Sequence, residues 1–373
     1  MTVLRVCGRS EDKSEETTVC DLLDAAAVWS GLNRKNQTMT KLEAFAPQRP
    51  QNSDSEVSCH ADMIWIPGGT FNMGSDRHYA DEAPVHRVTV DPFWIDIAPV
   101  TNREFRRFVA ETGYVTFAEI APNPNDYPGA LPNMLKAGAM IFNPPKHAVD
   151  LHNSNQWWTF KFGAYWRRPY GPRSSISGLH DHPVVQIAYR DALAYAKWAG
   201  KDLPTEAEWE FAARGGLDDT EFAWGDELNP DGRQMANTWQ GAFPHENLKL
   251  DGYERTSPMT AFPPNGYGIY DMIGNVWEWT TDWYSPKHQS NVPKACCTPE
   301  NMRGGLEEAS FDPGLPNIKI PRKVLKGGSH LCAPNYCRRY RPAARHPEPV
   351  DTSSSNVGFR CIVRQAGGRN DRC

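Results

Sequence analysis

Lys326-Gly-Gly-Ser-His-Leu-Cys332-Ala-Pro-Asn-Tyr-Cys337-Arg-Arg-Tyr-Arg-Pro-Ala-Ala-Arg345 sets two cysteines five positions apart among glycines, tyrosines and arginines. A fully extended strand, rising ~3.3 Å per residue, would hold Cys332 and Cys337 about 16 Å apart. The intervening Ala333-Pro334-Asn335-Tyr336 is turn chemistry, with Pro fixing φ at the second position and Asn tolerant of the third. A turn there folds the segment back and lets the sulfurs meet. Three chemistries are then open. A structural disulfide needs Cβ atoms about 3.8 Å apart. Half of a zinc site would recruit His330 or His346 toward four ligands at ~2.0–2.3 Å. A two-thiolate site would take a soft monovalent metal, and Cu(I) is the one thiolates select. The C-x4-C spacing alone does not choose among them.

Further along, Gly-Gly-Ser-x-x-Cys-x4-Cys-Arg-x-Tyr-Arg leads to Ala-Ala-Arg and then Ser353-x-x-Asn356-Val-Gly-Phe-Arg-Cys361. This order resembles the end of the formylglycine-generating enzymes (sulfatase-modifying factors), and the resemblance runs from about Met63 to Val363. Members of that family convert a cysteine in a sulfatase into formylglycine. The resemblance implies an α+β fold: a single loop-rich domain of low regular secondary structure, related to C-type lectins. The wider superfamily shares the fold without the chemistry, so fold alone says little about activity. The paired cysteines separate the oxidase from its non-oxidase relatives, and both are present.

For the site, the resemblance implies Cu(I) held by Cys332 and Cys337 as a nearly linear bis-thiolate. A substrate thiolate from a Cys-x-Pro-x-Arg motif enters as a third ligand, O₂ is reduced, and the substrate cysteine becomes an aldehyde. Ser329 and Tyr336 stand beside the two ligands, placed to hydrogen-bond a thiolate or the oxygen species. Ser353 and Asn356 fall at the wall of the peptide cleft, although an Asp351-Thr-Ser turn held by side-chain bonds is the plainer reading. The family also holds structural calcium at positions matching Asn237, Thr238, Asp251 and Tyr253, and at those matching Asp271, Gly274, Val276 and Glu278. From the residues alone the second loop offers two carboxylates around the carbonyls of Gly274 and Val276, without EF-hand spacing. The alternative from another class is a non-catalytic, calcium-stabilised lectin-like module binding peptide or glycan, with Cys332–Cys337 an ordinary disulfide. A sulfoxide-forming iron relative would need a His-rich motif that the sequence lacks.

Composition agrees with a loop-rich globular body. The 373 residues are 39% hydrophobic, with 13 Trp, 31 Pro and 29 Gly, enough to bury a sizeable core. A net charge of −5 argues against a nucleic-acid partner. No apolar run approaches the ~20 residues of a membrane span, and the first ten residues turn polar before a signal-peptide core forms. As partners, the resemblance implies an unfolded or nascent sulfatase polypeptide and O₂. Of nine cysteines, Cys7, Cys20, Cys59, Cys296, Cys297 and Cys373 have no motif partner. Secretory-pathway members of the family carry further core pairs, whose matching positions here read Ala196, Ala213 and Pro342. Cys361 is then a small buried hydrophobe, and the expected compartment is a reducing, bacterial cytoplasm.

In chain order, residues 1–61 read as a polar, disordered extension, 62–365 as the catalytic domain and 366–373 as a polar tail. Met63–Ser75 and His86–Asp96 alternate like strands. Thr101 with Glu104 forms a capping box for a helix burying Phe105, Phe108 and Val109 and ending at Gly113. Residues 119–180 read as irregular, and Trp157-Trp158 and Ala164–Pro172 resemble the family's cleft-lining loop, against simple aromatic packing. His182–Ile187 reads as a buried strand before a helix with Ala192, Tyr195, Ala196 and Ala199 on one face. Thr205 and Glu208 form a second capping box, which explains Glu208 better than acid–base work. Residues 285–322 are expected to form a surface insertion.

Overall fold

A computed structural model describes residues 60, 62–288 and 304–365. The expectations placed on residues 1–59, 61 and 366–373, on the 289–303 part of the expected surface insertion, and on all unpartnered cysteines except Cys361, lie outside that range.

The alternation along Met63–Ser75 yields two strands, β1 (Met63–Ile66) and β2 (Gly69–Met73), and His86–Asp96 yields β3 (His86–Val90) and β4 (Phe93–Asp96). Each stretch breaks where Pro67-Gly68 and Asp91-Pro92 interrupt it, because proline has no N–H for a ladder. β1 pairs antiparallel with β4, and β2 with β3. Helix α1 (Asn102–Thr112) begins with the expected box: Thr101 Oγ accepts the Glu104 N–H, and Glu104 returns a carboxylate to the Thr101 N–H at 2.7 Å. Gly113 closes it in the left-handed conformation. Phe105 and Phe108 are buried and Val109 packs beside them.

The 119–180 stretch is mostly irregular but contains an antiparallel pair, β5 (Gly138–Phe142) and β6 (Trp158–Phe162). It joins segments 15 residues apart, which no local hairpin signal marks. Pro183–Ile187 is buried, but His182–Ile187 is not a strand: only Pro183 bridges, to Thr101. Gln186 sits at φ 65° and sends its amide to the Met140 and Pro169 carbonyls, so the extended backbone is broken there. Helix α2 (Tyr189–Trp198) buries Ala192, Tyr195 and Ala196, and α3 (Glu206–Arg214) opens on the Thr205 box. Glu208 caps α3 and also pairs with Arg364 at 2.7 Å.

Four strands then frame the site: β7 (Trp277–Trp283), β8 (Arg322–Lys326), β9 (Arg345–Pro349) and β10 (Val357–Gly358), in the order β10-β7-β8-β9. The last strand, β11 (Ile362–Arg364), returns to β4, so the sheet order there is β1-β4-β11. The thiol segment is thus the long connection between the antiparallel neighbours β8 and β9. Between them and the helices lies an aromatic core that includes Trp166, Tyr195, Trp279 and Phe359. No described helix is long and apolar enough to cross a membrane.

Cys361 is fully buried in that core, and burial pushes its thiol well up. Ala196 and Ala213 are fully buried too. The described cysteines, Cys332, Cys337 and Cys361, form no disulfide. Dithiothreitol is therefore expected to shift the melting temperature by less than about 2 °C, whereas losing a native disulfide costs ~2–5 kcal/mol. A large shift on reduction in a thermal melt would reveal a covalent pair that this core does not contain.

Candidate active site

Two glycines turn the chain out of β8. Gly327 and Gly328 have φ of 91° and 75°, and a Cβ on Gly328 would stand 2.9 Å from the Arg339 carbonyl oxygen and Tyr340 Cα. The outgoing and returning backbones therefore touch, as only glycine permits. The expected turn follows: the Tyr336 and Cys337 N–H groups both donate to the Ala333 carbonyl, at 3.1 and 2.9 Å. Asn335 pins it, accepting the Phe243 N–H and donating to the Phe243 carbonyl, both at 3.3 Å.

This geometry brings the Cys332 and Cys337 sulfurs to 3.5 Å. A disulfide would need about 2.05 Å; these are two buried thiols in contact. The Ser329 N–H donates to Cys332 Sγ at 3.4 Å. Ser329 Oγ accepts from Asn356 Nδ2 at 3.1 Å and from the Leu331 N–H at 3.3 Å. Both lone pairs are thereby taken, so the hydroxyl hydrogen is what Ser329 has left to offer. Tyr336 stacks on Phe243 at 4.6 Å and meets Trp157 edge-on.

The thiols line a cavity of about 60 Å³ together with Ser329, Tyr336, Asn356 and aromatic side chains that include Trp157, Trp158 and Phe243. Of the predicted site residues, Ser353 does not line it. Its carbonyl accepts the Met140 N–H at 3.0 Å, and Ser354 faces the cavity instead. The Ala164–Pro172 loop does not line it either; Trp166 belongs to the core. His330 turns away, its Nδ1 on the Asn275 carbonyl at 2.8 Å, and burial holds its imidazole down at about 4. His346 does line the cavity. Among the described residues no group of three His, Cys, Asp or Glu could hold a metal ion, so the four-ligand zinc alternative has no built site there.

Arginines fasten the return segment. Arg341 forks onto Glu82 at 2.6 and 2.8 Å, Arg339 reaches Asp81 at 3.0 Å, and Arg345 pairs with Glu206 at 2.8 Å, all in the interior. Asp81 and Glu82 come from Tyr79-Ala-Asp-Glu, a stretch the sequence reading left without a role, and Glu206 comes from the first turn of α3.

The two candidate calcium loops support the thiols from the other side. The Trp239 N–H donates to the Cys332 carbonyl at 3.0 Å, and Asn275 accepts from His330. In the first loop Asp251 Oδ2 and the Thr238 carbonyl both accept from the Gln240 amide, and Asp251 Oδ1 accepts the Tyr253 N–H at 2.9 Å. Asn237 donates its amide to the Arg255 carbonyl and accepts the Asn275 N–H on its own carbonyl. Two oxygens thus converge on one electropositive group, with Gln240 unforeseen because its side chain bridges two residues back and eleven ahead. In the second loop Asp271 Oδ2 is buried without a hydrogen-bond partner. Burial lifts that carboxyl to about 7, Glu278 adds to the rise, and Arg360 opposes it. An orphaned buried oxygen of this kind fits a hard cation. Glu278 is otherwise engaged, since both its oxygens are held by Arg360, at 2.7 and 2.8 Å, and Trp209 Nε1 adds a third bond.

Known proteins resemble this chain in sequence and in fold. The family model described as sulfatase-modifying factor enzyme 1-like domain matches residues 48–365, so the match reaches into the polar extension and begins before Met63. The chain is 51% identical over 308 residues to the formylglycine-generating enzyme of Mycobacterium tuberculosis, covering 82% of this chain and 99% of that protein. It is 44% identical to the formylglycine-generating enzyme of Mus musculus, over 81% of this chain and 74% of that one. The solved structure of PvdO from Pseudomonas aeruginosa superposes with a TM-score of 0.53 at 24% identity, covering 81% and 94%, a likeness of fold. With its α+β, loop-rich domain and its extent of match, the chain belongs to the sulfatase-modifying factor family, that of the formylglycine-generating enzymes.

Proposed function

We propose that this protein is an oxidoreductase that converts the cysteine of a sulfatase Cys-x-Pro-x-Arg motif to Cα-formylglycine, with O₂ as acceptor. It would act on unfolded or nascent polypeptide in the cytoplasm. The observation that carries this reading is the pair of buried sulfurs 3.5 Å apart in the wall of an aromatic cavity. Two soft donors without a third ligand group among the described residues suit a two-coordinate metal, so Cys332 and Cys337 would hold Cu(I). When bound, that ion supplies the redox chemistry that O₂ requires.

The chain's own residues bind and orient. Trp157, Phe243 and Tyr336 pack into a rigid apolar wall that excludes water from the substrate CH₂–SH. Asn356 fixes Ser329, which lines the same cavity as the sulfurs and whose remaining hydroxyl hydrogen can stabilise negative charge that develops there. The arginine pairs hold Cys337 in register with Cys332 without touching the chemistry. The test is aldehyde formation on a Cys-x-Pro-x-Arg peptide with Cu(I) and O₂. No aldehyde from a folded, copper-loaded protein would overturn the reading and leave the binding-module alternative.

Calcium, in this reading, is structural at Asn237, Thr238, Asp251 and Tyr253 and at Asp271, Gly274, Val276 and Glu278. A cation there neutralises Asp271 and clamps both loops that support Cys332 and His330. At about 100-fold excess over its dissociation constant one bound ion stabilises by about 2.7 kcal/mol, a gap of several degrees between calcium-loaded and chelated melts. Asp271→Asn should narrow that gap. Identical melting with calcium and with chelator would show that these loops need no ion.

A further inference from the structure

Glu348 lines the thiol cavity and has no part in the function so far assigned. Strand period two places it on the same face of β9 as His346, and both line the cavity. His346 stacks on Trp277, with centroids 5.4 Å apart, and its Nε2 lies 3.7 Å from Glu348 Oε2. Burial, with Arg339 nearby, holds that imidazole down at about 3, so it brings no positive charge. Lys323 stands opposite Glu348 in the ladder, but its ammonium rests on the Trp283 ring and the Thr281 carbonyl. Burial lifts the Glu348 carboxyl to about 8; a hydrogen bond with the Thr352 side chain and the charge of Arg322 oppose the rise, and Asp351 adds to it.

The decisive feature is an oxygen. Glu348 is 5% exposed, and its Oε1 is buried without a hydrogen-bond partner. Such an atom destabilises the fold, and an apolar side chain of the same shape would remove the cost. In a lining that includes Trp277, Trp157 and Phe243 a leucine would bring no such atom. Local rules are broken in this way where a ligand is to be met.

We propose that Glu348 is a substrate-binding residue whose Oε1 accepts a hydrogen bond from a main-chain N–H of a peptide lying across Cys332 and Cys337. This rests on the reading of the cavity as a peptide-thiol site and names a residue that holds the peptide there. A neutral carboxyl suits the task, since it accepts a hydrogen bond without drawing a cation into a cavity meant for the thiol pair.

The experiment uses the full chain and a Ser-x-Pro-x-Arg peptide, which lacks the reacting thiol, with binding read by fluorescence anisotropy and each variant melted alongside. E348L and E348M should weaken binding about 3- to 10-fold, the worth of one neutral hydrogen bond, while melting at or above the parent temperature. E348Q keeps the acceptor and should stay within about twofold of the parent. Parent-like binding by E348L and E348M would mean that a water serves this oxygen, and the proposal falls. Equal weakening in E348Q and E348L would mean that the carboxyl acts through its charge or proton, which also overturns it. A parent protein that neither binds this peptide nor converts the cysteine form sinks the cavity reading and the proposal together. A parent that converts the peptide beside an unaffected E348L sinks the proposal alone.

Discussion

Cys332→Ser and Cys337→Ser should each reduce aldehyde formation to background while leaving the protein folded. A serine oxygen is a hard, protonated donor and a poor match for Cu(I), and two donors leave no redundancy. Losing one direct ligand should exceed the roughly 10–100-fold cost of losing a residue that merely supports a ligand. Ser329→Ala belongs to that milder class, because it removes a hydroxyl held by Asn356 and Leu331 but leaves both sulfurs in place. Stability separates this from a structural role. The sulfurs are 3.5 Å apart and not joined covalently, so each substitution trades one small buried group for another and should cost about 1–2 kcal/mol at most. A disulfide would reverse the pattern, with ~2–5 kcal/mol lost in each variant and activity falling only as the fold does. The measurement is aldehyde yield on the Cys-x-Pro-x-Arg peptide with added Cu(I) and O₂, beside a melting curve for each protein. Near-normal turnover in either cysteine variant would end the copper-oxidase reading.

What made the site legible was local chemistry. The Ala333–Tyr336 turn, the two glycines and both capping boxes are specified within a few residues, and each forms as those residues dictate. The cysteines meet because one turn suffices. What escaped the sequence is carried by distant pairing. β5 and β6 recognise each other across an irregular loop, and Asp81 and Glu82 find Arg339 and Arg341 from more than 250 positions away. Ser353 and Ser354 differ by one position in a turn, and a sequence match cannot tell which of them lines the cavity; in the fold it is Ser354, whose hydroxyl donates to Asn356 Oδ1 at 2.6 Å. Glu348 escaped for a different reason. Between Pro347 and Pro349 it reads as a charged residue in a loop, yet the β8 ladder makes it part of a strand and buries it.

Glu278→Ala should be the most destabilising of the single changes considered, and its cost should exceed what calcium explains. The residue is fully buried in β7, and so is its partner Arg360. Arg360 Nε and Nη2 take both carboxylate oxygens, and its remaining bonds go to the carbonyls of Asp96, Tyr270 and Asp271. Removing the carboxylate strands a guanidinium in the interior, which costs ~3–5 kcal/mol. At about 2–4 °C per kcal/mol for a domain of this size, the melting temperature should fall by roughly 6–20 °C. A calcium ligand alone would cost no more than chelation does, so the comparison that matters is with the chelated parent. The variant is expected to melt below it. Glu278→Met combined with Arg360→Met should recover part of the loss, because well-packed apolar pairs replace buried ion pairs at little cost. The fraction that remains folded at low temperature should keep its turnover, since Glu278 does not line the thiol cavity. If Glu278→Ala melts together with the chelated parent, ion binding is the residue's whole contribution and the Arg360 pair contributes nothing. If turnover collapses while the melt is unchanged, the loop takes part in the chemistry and its purely structural assignment is wrong.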